Sequence, residues 1–289
     1  MGKLQRLPDR HRTSLAGGAT LASSASPAAA ITVRGLGKAY ATSAGEPIQA
    51  VSQVSFDVAV GEFVSIVGPS GCGKTTVLRI LAGLVDGYVG SVSIGGRVVH
   101  GPTPDIGVVF QDANLMPWRT VLANVTLPGQ VLRLEPKACR QRARELLALV
   151  GLAGFEAKLP GELSGGMRQR AAIARALLHD PRILLMDEPF GALDAMTRDA
   201  MNVELARIAS QAGKTVFLIT HSIAESVFLS DRVLVMSSRP GRILAEIEID
   251  LPRPRNLDVV ADSRFANTVL HIRRLLEQTG GNPRVTLAH

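Results

Sequence analysis

Apolar residues recur along this chain with two periods, and the order in which those periods alternate sets the expected architecture. Residues 31–33 and 51–60 alternate like half-buried strands, and 62–67 is a short apolar run that ends in glycines. Residues 75–84 carry Val77, Leu78, Leu81 and Leu84 at helical spacing. Strand patterns return at 92–94 and 106–110. A helix opening near Pro136 closes at 146–150, with Arg140, Arg142 and Arg144 on a solvated face. Then come a helix at 166–178, a strand at 183–186, a helix at 196–211, and strands at 216–219 and 233–236. Short apolar strands alternating with helices predict an α/β fold whose mostly parallel sheet is covered on both faces. The strand-rich start reads as an antiparallel β subdomain, and the mostly helical stretch 112–162 as an inserted helical subdomain.

Composition narrows the classes. The chain has 289 residues, 46% hydrophobic and 20% charged, with mean hydropathy +0.19. That is globular composition and excludes a disordered chain. Cys72 and Cys139 are the only cysteines, which excludes a disulfide scaffold. No apolar run approaches the roughly 18 residues needed to span a bilayer. The net charge is +7, part of it from Lys3, Arg6, Arg10 and Arg12 in the first thirty residues. Aromatics make up only 4%, too few for the stacking platforms of a single-strand nucleic-acid binder. The basic balance therefore points to an acidic partner or lipid headgroups, with no nucleic acid expected. Residues 1–30 read as a disordered extension without the apolar core of a secretory signal. Both a transit peptide and an untargeted tail fit its composition.

The chemistry begins at Gly68-Pro69-Ser70-Gly71-Cys72-Gly73-Lys74-Thr75, a G-x-x-x-x-G-K-[ST] loop between a predicted strand and a predicted helix. Its glycines let backbone N–H groups converge on phosphate oxygens, and the following helix adds the positive end of its dipole. Lys74 is the candidate cation for the β and γ phosphates, and the Thr75 hydroxyl the candidate Mg²⁺ ligand, with Thr76 next along the helix. Cys72 takes a free position in this loop. The apolar run 183–186 leads into Asp187 and Glu188. An aspartate at a strand's carboxyl end suits Mg²⁺, and the next carboxylate suits polarisation of an attacking water. Together these predict a P-loop NTPase of RecA-like architecture.

Leu163-Ser164-Gly165-Gly166-Met167-Arg168-Gln169-Arg170 resembles the signature motif of ABC-transporter ATPases, with Met167 where glutamine is commoner. Physically it is a second anion nest at a helix start. The resemblance, which covers roughly residues 31–250, implies that Ser164, Gly165, Gly166 and Met167 face the P-loop of a second copy, so that ATP is sandwiched between two protomers. It implies that Tyr40 stacks on adenine and that Gln111 senses Mg²⁺ and the membrane partner. It further implies that Gly191-Ala192-Leu193-Asp194 crosses the dimer interface, and that His221 contacts the γ-phosphate. Ser222 stands where the family usually has Asp.

The segments Asn114-Leu115-Met116-Pro117-Trp118-Arg119-Thr120, Val227-Phe228-Leu229-Ser230-Asp231-Arg232 and Ser238-Arg239-Pro240-Gly241 resemble the nitrate/sulfonate/taurine importer subgroup. This implies an importer ATPase carried peripherally on the cytoplasmic face of the inner membrane. Its partners would be integral-membrane permease subunits and, indirectly, a solute-binding protein. Trp118 fits either core packing or a place near the permease-coupling groove. The competing reading, a soluble ABC ATPase acting on nucleic acid or ribosomes, calls for two ATPase units or a long coiled coil, and neither is present. A vitamin-precursor importer remains the other alternative for cargo. Residues 251–289 form a tail in which only a helix at about 265–277 is legible.

Overall fold

A computed structural model describes residues 29–41, 45–191 and 193–279. The extension expected at 1–30 lies outside these residues through position 28, as does Ala192. An antiparallel sheet comprises β1 (Ala29–Tyr40), β2 (Ile48–Ala59), β4 (Val89–Ile94) and β5 (Arg97–Val98), in the order β2-β1-β4-β5. The second sheet contains β3 (Phe63–Val67), β6 (Ile106–Val109), β7 (Ile183–Asp187), β8 (Thr215–Ile219), β9 (Arg232–Met236) and β10 (Ile243–Glu248). Its order is β10-β9-β3-β8-β7-β6, parallel throughout except for the antiparallel β10 edge. The mostly parallel sheet read from the sequence is therefore present.

The differences have local causes. β1 is far longer than the alternating triplet at 31–33, because register shifts between Val33 and Leu36 and again before Lys38 break its period. β10 went unread because its alternating pattern lies on a half-exposed sheet edge, with Leu244, Glu246 and Glu248 outward. The helices α2 (Val121–Val125) and α3 (Leu127–Val131) are too short to show a 3.6-residue period.

Alternate residues of the central strands feed two separate cores. Val64, Ile66, Leu185, Phe217 and Leu234 face α1 (Lys74–Leu81) and the antiparallel sheet. There Phe56 of β2 stacks on Phe217 of β8, with ring centroids 5.4 Å apart. Phe63, Val67, Met186, Leu218 and Val235 face the helical layer. That layer is built from α4 (Pro136–Leu149), α5 (Gly165–Leu177), α6 (Ala195–Ala212) and α7 (Ile223–Leu229), together with α2.

Chain beyond residue 250 joins this second core. α8 (Ser263–Thr279) inserts Phe265 and Ile272 into it. Buried Arg255 donates to the carbonyls of Val227, Phe228, Ser230 and Leu251, so it satisfies the C-terminal end of α7. Burial pushes its guanidinium pKa down to about 10. Arg253 likewise bonds Asp231 and the Leu229 carbonyl.

Candidate functional site

Four parallel strands, β6, β3, β7 and β8, end at one edge of the central sheet, and the loops beyond them carry the chemistry. After β3 the chain turns through Gly73, whose φ of 102° places it in the left-handed region as the N-cap of α1. A Cβ there would lie 2.5 Å from Val51 Cγ1 and 2.8 Å from the Ala50 carbonyl oxygen, so both the backbone angle and the space require glycine. Lys74 follows, buried, and its ammonium donates to the Gly68 and Pro69 carbonyls at 2.8 and 2.9 Å. Its charge is thereby held against the loop that it serves.

The Thr75 hydroxyl donates to Asp187 Oδ1 at 3.2 Å, joining the first turn of α1 to the end of β7. Burial raises the Asp187 pKa, against the lowering effects of Thr75, Arg79, Lys74 and His221. A poorly solvated carboxylate beside a hydroxyl offers two hard oxygens. They suit a Mg²⁺ ion that takes its other ligands from phosphate and water. Among the described residues no group of three or more His, Cys, Asp or Glu could hold a metal unaided, so the oxygens of a bound nucleotide are needed to complete such a site.

Glu188 adopts a φ of 47°, unusual for a residue with a side chain, and its N–H donates to the Ile219 carbonyl at 2.9 Å. The turn aims its carboxylate across the strand ends at His221, with Nε2 and Glu188 Oε1 2.6 Å apart. Ser222 caps α7 by accepting from the Glu225 N–H, which shows what the serine does where aspartate is usual. Glu225 itself was not singled out in the sequence. It is only 5% exposed, bonded to the Thr220 hydroxyl, which in turn accepts from the Ser222 N–H.

Burial raises the Glu225 pKa above its ordinary 4.5; Thr220 and Arg198 act in the lowering sense and Glu188 in the raising sense. A carboxyl with a raised folded-state pKa contributes stability that is complete below 4.5 and is lost as pH rises through the folded value. Glu225→Gln, which removes the charge and keeps the shape, should therefore raise Tm at pH 7.5 by roughly 2–4 °C. The gain should vanish below pH 4.5. Thermal melts across that range check it, and an equal gain at all pH values would contradict the assignment.

Lys74, Thr75, Glu188 and His221 share a cleft of about 420 Å³ with Tyr40, Ser70, Gly71, Thr76 and Arg239. Tyr40 lies at the cleft's outer wall with the Lys38 ammonium 5.2 Å from its ring centroid. The Cys72 side chain is buried in the core with Met236, and its sulfur accepts from the Lys74 ammonium at 3.7 Å. The structure keeps other predicted site residues out of this cleft. Gln111, after β6, lies near Gly191, where an added Cβ would be 3.7 Å from its Nε2. Ser164 caps α5 by accepting from the Met167 N–H at 3.2 Å. Ser164 and Gly166 line a second depression with Thr197 and Met196, which is 85% exposed. Asp194 caps α6 through the Thr197 N–H. Trp118 is 74% exposed, which removes core packing as its role. Arg239 sits in the cleft but was read only as part of a subgroup resemblance, since its cleft partner Gly71 is 168 positions away.

Comparison with known proteins agrees with this geometry. Residues 51–191 match the ABC transporter family. The chain is 50% identical over 229 residues to an uncharacterized ABC transporter ATP-binding protein of Methanocaldococcus jannaschii, covering 79% of this chain and 85% of that one. It is 45% identical over 245 residues to the taurine import ATP-binding protein TauB of Rhizobium johnstonii, covering 83% and 94%. A solved dimeric ATP-binding cassette in a post-hydrolysis state with ADP and Pi superposes with a TM-score of 0.67 at 34% identity, covering 77% of this chain and all of that one. The P-loop cleft, the overall fold and these relatives together place the chain among the ATP-binding proteins of ABC transporters.

Proposed function

We propose that this chain is the ATP-hydrolysing subunit of an importer for a small sulfonate such as taurine. In this reading two copies work beneath membrane-embedded permease subunits on the cytoplasmic face, supplied by a solute-binding protein. The observation that carries the catalytic part is the convergence of Lys74, the Thr75–Asp187 pair and the Glu188–His221 pair at one sheet edge.

The residues divide the work as follows. Lys74 and the loop N–H groups from Gly68 to Thr75 bind the phosphate chain, and Tyr40 and Thr76 lie along the rest of the nucleotide. Thr75 and Asp187 would hold Mg²⁺, whose charge offsets that developing on the phosphate oxygens, with Gln111 beside Gly191 rather than in the cleft. Glu188 takes the proton of a water attacking the γ-phosphorus in line, as the bond to the β-phosphate oxygen breaks and ADP leaves. His221 orients that carboxylate through its 2.6 Å contact and faces the departing phosphate.

The second depression, with Ser164 and Gly166 at the start of α5, supports a role for Gly165, Met167 and Asp194 toward the ATP of a second copy. The dimeric form of the solved neighbour supports the same arrangement. Among the described residues no helix is long and apolar enough to cross a membrane; in this reading the permease subunits carry out translocation. The exposed Trp118 is suited to contact with them. The cargo rests on a relative named for taurine import and on the 114–120 and 238–241 segments.

Two measurements test the reading. The purified chain should hydrolyse ATP with Mg²⁺, and Lys74→Ala should abolish it. A strain lacking the gene should fail to grow on taurine or alkanesulfonates as sole sulfur source. Normal growth there, in a strain without a redundant transporter, would overturn the cargo and leave the ATPase standing.

A further inference from the structure

We infer that Arg239 is a second phosphate-binding cation of the cleft, carried to the P-loop by the segment after β9. The inference rests on the reading of the cleft as an ATP site and adds to it a residue from outside the loop motif. Arg239 lines the cleft together with Lys74, Thr75 and Thr76, and its Nε donates to the Gly71 carbonyl at 3.0 Å. One terminal nitrogen reaches the same glycine, since a Cβ built there would lie 3.1 Å from Nη2. Among the described residues one of its five N–H donors is occupied by that hydrogen bond, and the residue is exposed at the cleft.

The segment that carries Arg239 is fixed at both ends. The Ser237 hydroxyl donates to the Ser238 and Pro240 carbonyls and accepts from the Arg242 N–H. Gly241 donates to the Ala50 carbonyl and accepts from the Ser52 N–H, at 3.0 and 2.9 Å. Gly241 also packs on the P-loop itself, close to the Cys72 carbonyl. A guanidinium held this way loses little further freedom on meeting an anion, and its planar fork matches phosphate oxygens. Lys74 spends two hydrogen bonds on loop carbonyls, so a second cation at the loop's tip adds charge where the polyanion must lie.

The alternative is that Arg239 only braces the loop through Gly71. Three variants separate the two roles. Arg239→Gln keeps an N–H for the Gly71 carbonyl but has no charge, Arg239→Lys keeps the charge, and Arg239→Ala keeps neither. ATP binding is titrated by calorimetry on the full chain in EDTA, where no hydrolysis occurs, and Tm is recorded without nucleotide.

A phosphate contact predicts that Ala and Gln weaken ATP binding alike, by about tenfold, while Lys loses less than about threefold. Gln matching wild type while Ala falls, or all three matching wild type, overturns the inference. If the wild-type chain itself binds no ATP, the ATPase reading fails first, and with it the premise of this one.

Discussion

Glu188→Gln should bind ATP as tightly as the wild type and hydrolyse it about 10²–10⁴-fold more slowly. The substitution keeps the side chain's length and an oxygen to meet His221 Nε2, now 2.6 Å from Glu188 Oε1. The Glu188 backbone bond to Ile219 and the Thr75–Asp187 contact do not involve the altered group. Only the ability to take a proton from water goes. Under the dimer reading, ATP then holds two copies together, so gel filtration with ATP should show the variant at twice the monomer mass. Turnover near the wild-type rate would remove Glu188 from the role of base. Loss of ATP binding instead would mean that its left-handed turn, with φ of 47°, is needed to shape the cleft.

Gly241→Ala should strongly destabilise the protein. A Cβ at this position would lie 2.0 Å from the Cys72 carbonyl oxygen and 2.2 Å from Met236 Cε. The glycine cannot retreat, because its N–H and carbonyl are bonded to Ala50 and Ser52 of β2. The P-loop must give way. Overpacking against backbone costs about 3 kcal/mol or more, equivalent to a fall in Tm of roughly 6–12 °C for a domain of this size. ATP affinity should fall with it, because the displaced Cys72 carbonyl shares its peptide with the Gly73 N–H of the phosphate cradle. Gly101→Ala is the control, since a Cβ there meets nothing within 4 Å. Equal melting of the two variants would show that the 237–241 segment is not packed as described.

What the sequence made legible was whatever is contiguous. The P-loop from Gly68 to Thr75, the Asp187-Glu188 pair and the signature segment are each short runs whose residues act together. The apolar strands 62–67 and 183–186 announce themselves in the same way. What stayed hidden was whatever folding assembles from distant parts. Arg239 meets Gly71 across 168 positions, and Arg255 meets α7 across 25 to 28. Neither residue differs in sequence from the other arginines of a basic chain. Glu225 looks in the sequence like any other acid, and only burial behind Thr220 makes its charge costly. Cys72 looks unconstrained until Gly241 closes on its carbonyl. Trp118, the chain's single tryptophan, shows that a large aromatic need not be core.

The division of the central sheet into two cores has a mechanical consequence. Lys74 and Thr75 stand on α1, anchored in one core, whereas Glu188 and His221 lead into α6 and α7, anchored in the other. The sheet between them acts as a fulcrum, and the cleft lies where its two lever arms meet. A rocking of the helical layer against the sheet would change the gap between ammonium and imidazole. The Thr75–Asp187 bond ties α1 to the end of β7 at that meeting point.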